Sequence, residues 1–151
     1  MKSLPALLIF LSLFGCEGPP APEDEARIAA GFYSAHRNEL TQIVQLAKAG
    51  PIPSRVEDGE PFADCLDQAC AARGKELMNM VRQSGAILMV ANKQCHPGPK
   101  CSLSILINRR GLGISGSGTE LIYDAAPVWG TFVIHRLVGA PPGWFYRHLG
   151  D

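Results

Sequence analysis

The feature that most narrows the fold is a change of periodicity at residue 86. Before it, apolar side chains recur at the 3.6-residue spacing of helices; after it they come in short alternating or continuous blocks separated by Gly and Pro. In the first part, Ala29, Phe32, Tyr33, His36, Leu40, Ile43, Val44 and Ala47 form one stripe. Glu23-Asp24-Glu25 set three acids where the positive end of a helix dipole attracts them, and Lys48 followed by Gly50-Pro51 ends the pattern. One helix is therefore expected across residues 23–49. Residues 51–61 hold three prolines, one glycine and four charged residues without a period, the composition of a surface loop. A second helix is expected next, because Leu66, Cys70, Leu77 and Val81 fall near one face among good helix formers, with Gly74 as a weak point and Ser84-Gly85 as its close.

Beyond Ala86, strand-like blocks cover 86–92, 102–108, 120–123, 131–138 and 144–148, and Ala140-Pro141-Pro142-Gly143 must turn the chain between the last two. Five short strands in series argue an antiparallel meander. The expected fold class is α+β: two helices packed on one face of a roughly five-stranded antiparallel sheet.

The amino-terminal residues have a different character. Lys2 precedes an apolar run, Leu4 to Phe14, which is too short for the roughly 20 residues that span a bilayer and so reads as an export signal. It ends in Leu13-Phe14-Gly15-Cys16, which resembles the lipobox of bacterial lipoproteins, with Phe14 bulkier than the family's usual Ala or Ser. The resemblance covers residues 1–16 only. It implies removal of residues 1–15 as a signal peptide, acylation of Cys16, and, because Glu17 is not the Asp that favours inner-membrane retention, an outer-membrane location on the periplasmic face. Residues 16–22 then form the lipidated cysteine and a proline-rich tether, since Pro19, Pro20 and Pro22 favour an extended spacer. Residues 23–151 make one domain, and the 136 residues left of 151 suffice to bury roughly two thirds of their unfolded surface.

Cysteine parity fits this reading. Of five cysteines, lipidation of Cys16 leaves Cys65, Cys70, Cys95 and Cys101, an even set suited to disulfides in an oxidising compartment. Cys95 and Cys101 flank a loop rich in Pro and Gly between two strand blocks, so a bridge across that hairpin is expected. Cys65 and Cys70 can join each other only if Cys65 lies in the loop before the second helix; otherwise each pairs with the hairpin. The spacings match neither the short gaps of zinc ligands nor the Cys-x-x-Cys of thiol-disulfide enzymes, and no metal or cofactor is expected.

Charge argues against nucleic acid as a partner. The chain carries 14 basic and 14 acidic residues. Residues 16–80 have a net charge of −5 and residues 81–151 of +4, which an acidic helical layer over a basic sheet would explain. Residues 111–116 match G-x-G-x-x-G, but residues 117–124 form a short, strand-like block, so the helix that would meet a pyrophosphate is missing. Ser115 and Ser117, with His135 or His148 and Asp124, invite a hydrolase reading without a G-x-S-x-G elbow to support it. His36 lies on the helical stripe as a core residue would, and His96, His135 and His148 lack the spacing of a metal site. The remaining candidates form an interface: Arg109, Arg110, Trp129, Arg136, Trp144 and Tyr146, residue types that anchor protein contacts when they share an exposed face. The sequence thus leads to a lipid-anchored envelope protein with a membrane contact through Cys16 and a binding or accessory role without catalysis. The alternatives are an envelope hydrolase built on Ser115 and His135, and an inhibitor-like or immunity protein presenting the Cys95–Cys101 hairpin.

Overall fold

In the computed structural model, three helices cover one face of a six-stranded antiparallel sheet among the described residues, which are 22–59, 62, 64–91, 101–110, 117–124 and 133–150. In chain order the elements are α1 (Pro22–Ala35), α2 (Arg37–Ala49), β1 (Arg55–Glu57), α3 (Gln68–Ser84), β2 (Leu88–Ala91), β3 (Ser102–Arg110), β4 (Ser117–Asp124), β5 (His135–Arg136) and β6 (Trp144–Leu149). The expected α+β class and the one-sided helical layer are what the chain adopts. Four details differ.

First, the stretch expected as one helix is two. His36 takes φ −120°, ψ 25° between α1 and α2, although the backbone bonds His36 N to Phe32 O and Leu40 N to His36 O continue across the turn. The apolar stripe runs through unbroken because Ala29 and Tyr33 of α1 and Leu40, Ile43, Val44 and Ala47 of α2 all enter the same core. Second, the expected loop 51–61 contains β1, where Arg55 and Glu57 flank a fully buried Val56. Three residues next to Pro53 are too short to register as a strand pattern, and a short charged strand suits a sheet edge.

Third, Gly74 does not break α3. A Cβ there would stand 3.0 Å from both Phe62 and Pro53, so the glycine lets the preceding loop lie against the helix. Fourth, the order is β1-β2-β3-β4-β6-β5 in place of a simple meander. β6 takes the inner place beside β4 because its six residues can form a long ladder and bury Trp144, whereas β5 has two exposed residues and forms the edge. β5 and β6 are joined through the expected Pro-Pro turn, with Gly139 at φ 83° and Gly143 at φ 100°, values that L-residues with side chains rarely adopt.

The core is shared by helices and sheet: Leu40, Ile43, Leu77, Met89, Leu103, Ile105 and Leu121 are all fully buried. Each such side chain contributes about 1.5–3 kcal/mol relative to exposure. α3 is fixed at both ends. Asp67 accepts a bond from Cys70 N at 2.7 Å, and Gly85 closes the helix at φ 74° with its N–H bonded to Arg82 O. Cys65 lies in the loop just before this helix and is bonded to Cys70 in its first turn, with Cα atoms 5.4 Å apart, as local pairing requires. Cys101 is buried and also disulfide-bonded, while Cys95 lies outside the described residues.

Candidate functional site

The sheet register sorts the designated residues by face, because directly opposed residues point the same way. One row across the sheet is Val56, Met89, Ile105, Leu121, Tyr146 and His135, and the next is Ala91, Leu103, Tyr123 and Trp144. These rows carry the core members that meet the helices. The alternate rows point outward: Arg55, Val90, Ser104, Ile122, Phe145 and Arg136, then Glu57, Leu88, Leu106, Glu120 and Arg147.

The interface expected from sequence is therefore divided. Trp144 faces the helices and is buried, its ring 5.3 Å from both Tyr33 and Tyr123. It is a core residue and not an exposed anchor. Tyr146 shares that face, half-buried, with His135 stacked on it at 5.2 Å. Arg109 and Arg136 are exposed and lie on the outer face with Arg147. Arg147 is held by Glu120 at 2.6 Å in a largely buried pair, so it belongs to the fabric of the sheet. Trp129 and the side chain of Arg110 lie outside the described residues, as do Cys16, the glycine-rich segment 111–116 with Ser115, and His96.

What the arginines and aromatics do not share, the β5 edge gathers. Val133 is 72 % exposed and Val138 is 86 % exposed, and between them lie exposed His135 and Arg136. Leu137 in this stretch is buried, 2 % exposed, and Ile134 is half-buried. The adjoining turn adds exposed Pro141 and Pro142. Two exposed branched apolar residues and one cation thus lie along β5, which is an edge strand among the described residues. Sequence designated Arg136 but not the valines, since their burial depends on β5 being an edge and not an inner strand.

The hydrolase constellation with Asp124 does not assemble. Asp124 pairs with Ser102 on the outer face, whereas His135 and His148 lie on the helix-facing side. His148 instead meets the buried carboxylate of Glu25, from the first turn of α1. No local signal joins residues 25 and 148; the pair exists because α1 crosses β6. Likewise Lys48 bonds the Tyr123 hydroxyl at 2.7 Å and lies over its ring, a contact between helix end and strand that periodicity does not encode. His36 is half-buried with its ring 4.7 Å from Phe32. Among the described residues no three His, Cys, Asp or Glu side chains gather as a metal-binding group, and no helix is long and apolar enough to cross a membrane. An open groove of about 310 Å³ between α2 and α3 is lined by Gln42, Gln45, Leu46, Ala49, Glu76 and Met80, none of them designated by sequence. Neither protein-family models, nor curated proteins, nor solved structures yield a match to this chain.

Proposed function

We propose that the chain is a lipid-anchored protein of the bacterial cell envelope, held at the outer membrane through Cys16, whose domain serves as a binding or accessory module for another envelope protein through the β5 edge. The observation that carries the docking element is the exposure of Val133 and Val138 on either side of His135-Arg136. The path of α1 supports the orientation. Its amino end meets β6 at His148, and Tyr33 near its carboxyl end meets Trp144 at the other end of β6. Its 14 residues span about 21 Å. A tether leading into α1 would reach the domain at the His148 end of β6, and the β5–β6 turn lies at the Trp144 end. A partner would find an apolar and cationic edge with a rigid Pro-Pro turn, and little ordering is needed on this side of the contact.

The test is site-specific photo-crosslinking in intact envelopes from position 138, against position 45 on α2 as the control. A discrete adduct from 138 that disappears in an Arg136→Ser, Val133→Ser chain is the expected result. Equal adducts from both positions, or one indifferent to Arg136 and Val133, would remove this edge from the reading.

A further inference from the structure

We infer that Ser117, His148 and Glu25 form a proton relay that makes Ser117 a nucleophile toward carboxylic esters. The register brings Ser117 and His148 together: Thr119 opposes His148 and Gly118 opposes Leu149, so Ser117 comes level with Gly150 on the helix-facing side, diagonal to His148. A Cβ on Gly150 would stand 2.7 Å from His148 Nε2 and 3.2 Å from Ser117 Cβ. The imidazole edge and the serine therefore converge on a space that only glycine leaves open. On the ring's other side, Nδ1 is buried and lies within ion-pair reach of Glu25 Oε1, although it makes no hydrogen bond in this structure.

Burial grades along the trio in the sense a relay needs. The Glu25 side chain is 8 % exposed, that of His148 is 32 % exposed, and Ser117 is half-buried at the start of β4. The carboxylate that orients the ring is shielded from water, while the nucleophile remains within reach of a substrate. Glu25 is a positioning residue: it fixes the tautomer with Nδ1–H toward the carboxylate and leaves the Nε2 lone pair toward the serine. Ser117 Oγ then bonds to the ester carbonyl carbon as its proton passes to Nε2. Collapse of the tetrahedral adduct expels the alkoxide, which leaves as the alcohol with that proton. Water, deprotonated by Nε2, attacks the acyl-serine and releases the acid, restoring serine and neutral imidazole. A hydrogen bond that closes only with substrate in place is common in such sites. This trio lies at the other end of β6 from the β5–β6 turn, so its failure and that of the docking edge are separate results.

The experiment is labelling of the full mature chain, in detergent micelles, with a fluorophosphonate probe; the serine oxygen displaces fluoride at phosphorus, and mass spectrometry locates the adduct. Labelling at Ser117 is expected. It should vanish in Ser117→Ala and fall by at least about 100-fold in His148→Gln, the scale of lost general-base assistance. Glu25→Gln should slow labelling and alter its pH profile, which a purely structural role would not do in chains shown by circular dichroism to be folded. Ser34→Ala, at an exposed serine of α1, should label as the parent chain does. Absence of labelling in the folded parent chain, labelling at another residue, or labelling indifferent to His148 would each overturn the relay.

Discussion

Trp144 shows what single residues decide in this protein. By composition it belongs with Arg136 and Tyr146 as an interface anchor, and the segment Trp144-Phe145-Tyr146-Arg147-His148-Leu149 offers no clean polar face to say otherwise. The register decides it. Trp144, Tyr146 and His148 turn toward the helices, while Phe145, Arg147 and Leu149 turn outward. Trp144 then packs between Tyr33 and Tyr123 with 5 % of its surface exposed. Aromatic residues on both faces of one strand hide the alternation that would have identified the buried set, which is why this face assignment was not legible from sequence. Trp144→Ala is expected to lower the unfolding free energy by about 3–5 kcal/mol, as large aromatic truncations in a packed core do. Urea denaturation followed by circular dichroism measures it. Phe145→Ala, at a half-buried position on the outer face, should cost clearly less, and equal losses would contradict the two-faced assignment.

At the scale of elements, legibility depends on how strongly the chain marks its boundaries. α3 is marked at both ends, by Asp67 as a cap and Gly85 as a left-handed stop; its close at Ser84-Gly85 agrees with the sequence pattern, whereas Leu66, expected on its apolar face, lies before the cap and is fully exposed. Asp67→Ala should cost about 1 kcal/mol, measured as a shift of the urea midpoint at unchanged slope, since Cys70 N would lose its acceptor. A midpoint left in place would mean that the Cys65–Cys70 bridge alone holds the first turn. The break at His36 has no such mark. Phe32, His36 and Leu40 keep helical backbone bonding across it and both helices enter one core, so the period passes through. β1 is silent in the sequence because one buried valine between two charges is not a pattern, and β6 displaces β5 because ladder length and burial, properties of the assembled sheet, choose the inner position. Of the exposed β5 edge, Arg136 alone was therefore legible, and the Glu25–His148 contact not at all.

At the scale of the molecule, three kinds of sequence lie in series: an apolar leader, a proline-rich spacer and a folded α+β domain. With Pro22 opening α1, the five residues from Glu17 to Ala21 would reach about 16 Å if extended as a polyproline helix, so an acylated Cys16 would keep the domain close to its membrane. No helix among the described residues is long and apolar enough to cross a membrane, and in the proposed reading an acylated Cys16 would be the attachment. Each buried CH₂ contributes about 0.8 kcal/mol to such binding, and more than one acyl chain is needed for a stable hold. If Cys16 is the lipidated residue, loss of its thiol would remove the site of the first lipid and the step that licenses cleavage after Gly15. Cys16→Ser should accordingly abolish metabolic labelling with palmitate and shift the chain from the membrane pellet to the soluble fraction or to an uncleaved precursor. The Cys65–Cys70 bridge, remote from the anchor in sequence, should form in the variant as in the parent, which separates loss of anchoring from failure to fold. Persistent palmitate labelling with normal pelleting would show that Cys16 is not the anchor, and would return the leader to the status of an ordinary export signal.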